Sequence, residues 1–173
     1  MIEQIATAIP DAKFTIVGEN KLVFPDLLSG DQYLRIGKYG KDSFPGNVHF
    51  TGKVDDVAPY LAEFDVFGYP LRPDHYGTAE QVLGEAMAAG VVPVVMDNPA
   101  EKIILGSDLR ARSEDNYVAL VEHLYRHTRK RHFLSEMLRD LVQEIYSIDN
   151  MISQWNDVFE EMMKQPKKSR GTL

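Results

Sequence analysis

Residues 65–97 read DVFGYPLRPDHYGTAEQVLGEAMAAGVVPVVMD, and this stretch decides the fold. It parses as strand, glycine-bearing loop, amphipathic helix, glycine turn, strand. DVFGYP is a short apolar run closed by Pro70, and VVPVVM is a second apolar run without polar alternation. Continuous apolar strands separated by a helix point to a parallel sheet covered on both faces. Pro93 falls near the entry of the second strand, where a missing N–H is tolerated. Thr78 suits an N-cap, and Gln81 completes a capping-box pattern with it. The spacing predicts a helix over 79–89, with Gly90 just past its end.

At about 100° per residue, Ala79, Val82, Leu83, Ala86 and Met87 share one apolar side of that helix. Glu85 projects at the edge of this side, nearly in line with Thr78, and is the helix carboxylate best placed to face a crevice. Glu80 points away, toward water or the helix dipole. The loop His75-Tyr76-Gly77-Thr78 enters the helix at the carboxyl end of a parallel strand. Ligands bind at that end of open α/β sheets, and free N–H groups at a helix N-terminus suit a phosphate. His75 reads either as a donor to a phosphate or sugar hydroxyl or as a solvated loop histidine.

The chain has 173 residues, 44% of them hydrophobic, enough for one compact domain with a core. A formal charge of −7 argues against a nucleic-acid module. The lack of cysteine excludes disulfides, thiolate catalysis and cysteine metal sites. No apolar run reaches the ~18–20 residues of a membrane span, and no signal-peptide pattern opens the chain. A cytoplasmic protein is the expectation, with peripheral membrane contact through the basic tail as an alternative. His123 and His127, four apart on a helix, read as a surface pair because no third ligand lies near them.

Outside the central stretch, MIEQIATAI (1–9) reads as a helix and Lys13 to Val17 as a strand closed by Gly18. Residues 26–39 have weak helical periodicity broken by Gly30 and Gly37, and 42–47 read as loop. Asn47 to Phe50 reads as a strand, followed by the turn Thr51-Gly52-Lys53. Val54 to Phe64 reads as a helix with Asp55 and Asp56 in its first turn. Asn98-Pro99-Ala100-Glu101 reads as a loop entering a short helix, Leu109 to Ala111 as a short edge strand, and Ser113 as a helix cap facing Asn116. From Thr128 to Met163 the pattern is helical with a break near Ser147-Ile148-Asp149. Trp155 and Phe159 sit at core spacing on the last helix, with core packing the preferred reading and contact with another domain the alternative. The organisation expected is one domain over 1–163 and a polar, basic tail over 164–173 that stays disordered.

Several of these motifs together resemble one family. DVFGYP, then HYGT, then VLGEAMAAGVVPVV are similar to the donor-binding core of GT-B-fold glycosyltransferases, nearest to the retaining glycosyl transferases group 1 (family 4). The likeness extends to IPDAKFTIVG, VHFTGKVDDVAPYLAEFD and NPAEKIILGSDLRARSEDNYVALVEHL, nearly the whole chain apart from the tail. The resemblance implies an α/β, Rossmann-like half of a GT-B fold: a parallel sheet flanked by helices, with C-terminal helices after it. It also implies a nucleoside diphosphate sugar, UDP- or GDP-linked, as donor, transfer without a metal or other cofactor, and an N-terminal acceptor-binding domain as partner. The cofactor-binding positions it marks are Gly77, Thr78, Ala79, Glu80, Glu85, Gly52 and Lys53. Glu85 takes the place of a carboxylate that holds the ribose hydroxyls, a task suited to a two-oxygen acceptor. Gly52 and Lys53 fall at a turn near the base, although Lys53 reads more readily as a solvated lysine, and the loop from Asn98 to Glu101 falls where the family places one close to the donor sugar, with simple helix capping as the other reading. His75 is the one catalytic candidate.

Two departures matter. The family places a further carboxylate before the loop, with seven residues between it and the second; counted back from Glu85, that position is Gly77. The chain also opens in the helix that follows the family's first strand, which lies mid-sheet in the order 3-2-1-4-5-6. Either the sequence is a fragment of a longer enzyme, the preferred reading, or the second and fourth strands close the gap. The glycine and basic residue that neutralise the donor diphosphate in the family would follow that strand. The isolated chain is therefore expected to be an inactive half of a hexosyltransferase. The alternatives are a non-catalytic binding or assembly module of the same fold, and an epimerase-like enzyme acting on a nucleotide sugar.

Overall fold

A computed structural model describes residues 1–18, 47–72 and 80–165. Helix α1 (Ile2–Ala8) leads into strand β1 (Phe14–Val17), which pairs in parallel with β2 (Val48–Gly52). After a short helix α2 (Ala58–Leu61), strand β3 (Val66–Tyr69), helix α3 (Glu80–Ala88) and strand β4 (Val92–Met96) form the strand–helix–strand unit expected of residues 65–97. A four-residue helix α4 (Glu101–Ile104) and a 3-10 turn (Ser107–Leu109) precede β5 (Arg110–Ala111). Helices α5 (Glu114–Arg126), α6 (Thr128–Tyr146) and α7 (Ile148–Lys164) complete the described chain.

Among the described residues the strands form two parallel groups, β1–β2 and β3–β4–β5. Among the described residues β1 and β3 do not pair with each other, so the second and fourth strands of the family order do not close the gap. β4 is the core strand: Val92, Val94 and Val95 are fully buried, packed with Leu83 and Met87 of α3, Tyr117 and Leu124 of α5, and Leu134, Leu138 and Val142 of α6. This burial on both faces is why the run carries no polar alternation. β1 and β3 carry similar apolar residues yet remain half-buried for the most part.

Helix α3 ends as its sequence demands. Gly90 adopts φ +80°, its N–H returns to the Met87 carbonyl, and the Val91 N–H reaches the Ala86 carbonyl (both 2.9 Å), the paired bonds of a glycine-terminated helix. α6 crosses closely here, with Ser135 Oγ donating to the Gly90 carbonyl at 2.6 Å. A Cβ on residue 90 would fall 1.9 Å from Arg139 Nη2.

Three expectations are corrected. The helix expected over 54–64 is confined to Ala58–Leu61. Pro59 lies in its first turn, and a proline is tolerated only there because its ring excludes a preceding turn. Asp56 instead sits ahead of the helix and accepts from the Ala58 N–H at 2.9 Å. The strand expected to stop at Phe50 continues to Gly52, because a shift in register between Ile16 and Val17 pairs Val17 with Gly52. Trp155 and Phe159 do not pack into the core: they are 54% and 52% exposed and stack on each other at 5.5 Å. The predicted break near Ser147 is a single residue, whose Oγ caps α7 by accepting from the Asn150 N–H at 3.2 Å. Of the remaining expectations, those for 26–39 and for the tail beyond Gln165 lie outside the described residues.

Candidate functional site

The site is built on the carboxyl edge of β3–β4–β5, where the chain leaves each strand. Asp97, the residue after β4, donates its N–H to the Ala111 carbonyl of β5 (2.8 Å). Its carboxylate accepts from Arg110 Nη1 and pairs with Lys102 Nζ at 3.4 Å. These charges are partly solvated, so their mutual attraction is modest and serves mainly to fix the turn. Next to them Asn98 and Glu101 are buried, the only polar or charged side chains so classed among the described residues. Asn98 Nδ2 donates to the Leu71 carbonyl (3.2 Å) and to Glu101 Oε1 (3.5 Å). Leu71 lies just beyond β3, so this bond ties together the segments leaving two adjacent strands.

Tyr117 of α5 supports the same edge from below. Its hydroxyl lies where a Cβ on Gly68 would come within 2.8 Å, which explains a glycine inside β3. Burial pushes the phenol pKa well up, and the Tyr69 backbone N–H, donating to the oxygen, offsets this in part.

Glu85 is exposed on α3, where Gln81 Nε2 donates to its Oε1 at 3.4 Å. With Gln81, Gly84 and Ala88 of α3 and Val142 and Tyr146 of α6, it lines an open groove of about 410 Å³. Because α3 starts at the carboxyl edge and ends at Gly90, where Ser135 of α6 is attached, the Gln81–Tyr146 end of this groove is the one nearest the carboxyl edge. Gly52 ends β2 with φ +70°, its carbonyl accepting from the Gly18 N–H (3.0 Å) and from Thr51 Oγ1 (2.8 Å). Lys53 follows it, exposed. Glu80 opens α3. His75, Gly77, Thr78 and Ala79 lie outside the described residues. The structure thus brings Glu85 to a groove and leaves Gly52 and Lys53 at the carboxyl end of the other strand group.

Sequence reasoning missed the Asp97–Arg110–Lys102 cluster and the burial of Asn98 and Glu101. From sequence the loop 98–101 reads either as lying close to the donor sugar, by the family resemblance, or as simple capping, and neither reading buries its Asn and Glu; the N-cap of α4 is Ala100, without a side-chain bond. No group of three or more His, Asp or Glu suited to a metal occurs among the described residues.

Comparison with known proteins agrees with this geometry. The family model described as glycosyl transferases group 1 matches residues 1–129. The chain belongs to that family. Among curated proteins none matches significantly. Among solved structures, this group 1 chain is similar to the pneumococcal O-GlcNAc transferase GtfA in complex with UDP and GlcNAc, with TM-score 0.62 and 15% identity. The match covers 95% of this chain and 33% of GtfA, so the chain spans about a third of that protein's length. At this identity the likeness establishes a common fold, the Rossmann-like half of a GT-B glycosyltransferase. No helix among the described residues is long and apolar enough to cross a membrane.

Proposed function

We propose that this chain is the donor half of a hexosyltransferase, gripping a nucleoside diphosphate sugar at the carboxyl edge of β3–β4–β5. The observation that carries the reading is the β3–α3–β4 unit of a glycosyltransferase family: a parallel crossover whose helix starts at the edge where open α/β sheets bind ligands. In this reading the amides around Gly77, Thr78, Ala79 and Glu80 face phosphate or sugar, Glu85 holds the ribose hydroxyls, and Gly52 with Lys53 lies toward the base. His75 is the candidate for contact with the departing diphosphate or the sugar. Developing charge on the diphosphate is met by fixed dipoles, without metal or cofactor. UDP is the first nucleotide to try, because GtfA was solved with it.

The acceptor would bind a second, N-terminal domain of the same cytoplasmic enzyme. Two observations favour this: the match spans only a third of GtfA, and α7 exposes a stripe of large apolar residues, among them Ile148, Ile152, Trp155, Phe159 and Met162. Such a stripe is the expected form of a surface that another domain covers. The chain alone would then transfer no sugar at a useful rate. Gly77, at the position of the family's first carboxylate, favours a second reading: a non-catalytic module that keeps the nucleotide grip.

Calorimetric titration of the chain with UDP, GDP and ADP tests the proposal. Saturable binding of one nucleotide is expected, weakened about tenfold or more by Glu85→Ala through loss of a charge-assisted hydrogen bond. Unchanged affinity in that variant would sink the role given to Glu85. Rapid sugar transfer by the chain alone would remove the need for a second domain.

A further inference from the structure

Asn98 and Glu101 are placed in a way that neither helix capping nor core filling accounts for. They are 3% and 2% exposed, and a buried carboxylate costs several kcal/mol unless hydrogen bonds meet it. An apolar pair would fill the same space without that cost. The polar pair provides a cross-link that an apolar pair could not. The segments leaving β3 and β4 are joined through the side chain of Asn98, whose amide reaches a carbonyl 27 residues away in sequence. The direction of that amide is fixed by its neighbours. Both the Leu71 carbonyl and the Glu101 carboxylate are acceptors, so only the NH2 end of Asn98 can face them; the flipped amide would set oxygen against oxygen.

We propose that Asn98 and Glu101 are positioning residues of the donor site. Asn98 holds the exit of β3 at a fixed height against the exit of β4, and Glu101 holds the Asn98 amide in the orientation that makes this bond. The segments leaving β3 and β4 are therefore held at a fixed separation, and the ligand meets a prearranged edge. Neither residue touches the ligand. The inference rests on the donor-binding reading above.

The test is calorimetric titration of the whole chain with UDP, GDP and ADP, with melting temperatures measured alongside. Asn98→Ala is expected to weaken binding of the preferred nucleotide about tenfold, as small misplacements of a binding frame do. Glu101→Gln, which keeps an acceptor oxygen, should retain most of the affinity. Leu124→Ala, in the core on α5, supplies the comparison: it should lower the melting temperature and leave affinity unchanged. If Asn98→Ala does not fold, Asn98→Ser, which keeps a shorter donor, is expected to show a smaller loss in the same direction. Wild-type affinity in the folded Asn98 variant overturns the positioning role alone, and so does an affinity loss in Leu124→Ala as large as that in the Asn98 variant. A wild-type chain that binds none of the three nucleotides overturns the donor-binding reading, and the positioning role with it.

Discussion

At the junction of α5 and α6, His123 and His127 stack with ring centroids 4.1 Å apart. His127 Nδ1–H donates to the His123 carbonyl at 2.9 Å. Lys130 Nζ approaches His123 Nε2 at 3.5 Å, a bond that requires an unprotonated acceptor. Partial desolvation, then His127, then Lys130 lower the His123 pKa from its ordinary 6.5. With the folded value below the unfolded one, the folded state takes up the proton less readily. The stability tied to neutral His123 is thus complete above pH 6.5 and is lost as pH falls through the lower, folded value. Thermal midpoints measured across this range for wild type and His123→Gln should converge at low pH, and a parallel pair of curves would contradict the assignment. How legible a residue is depends on what decides its environment. Glu85 could be placed beside a groove from sequence, because helical periodicity fixes its direction relative to Leu83 and Met87. Asn98 could not, since its side chain is bonded to the Leu71 carbonyl beyond β3, 27 residues away, which local pattern does not bring near.

The same distinction holds among elements. β4 and α3 were legible because strand burial, capping and the terminal glycine all point to one structure. α2 was not: the acids before it and the apolar residues after it suggest a longer helix, but Pro59 restricts where it can start. The last helix was read in its extent but not in its surroundings. Apolar spacing shows that α7 has a face to bury but does not choose between the core and another domain, and the core, the preferred reading, is not what Trp155 and Phe159 meet. From Met151 to Gln165 every side chain is exposed, so α7 contributes little to the core that holds the sheet. Ending the chain after Tyr146 is accordingly expected to change the unfolding free energy of the remainder, measured by denaturant titration, by no more than about 0.5 kcal/mol, as for surface changes away from packed features. A large loss would mean that α7 packs on the body in solution.

For the molecule as a whole, the division of the sheet sets a hierarchy of stability. β4 is paired on both sides and buried, while β1 is paired only with β2 among the described residues and half-buried. Amide hydrogen exchange should therefore be slowest at Val94 and Val95 and clearly faster over Phe14–Val17, because opening β1 exposes less apolar surface. Equal protection across both groups would show that they unfold as one unit. The exposure of α7 carries a last consequence, since Trp155 is the only tryptophan in the sequence. The protein's whole indole fluorescence arises from the surface with least burial. In the isolated chain its emission should be that of a hydrated indole and readily quenched by iodide. A blue shift on mixing with a second domain would report docking directly, with no label attached.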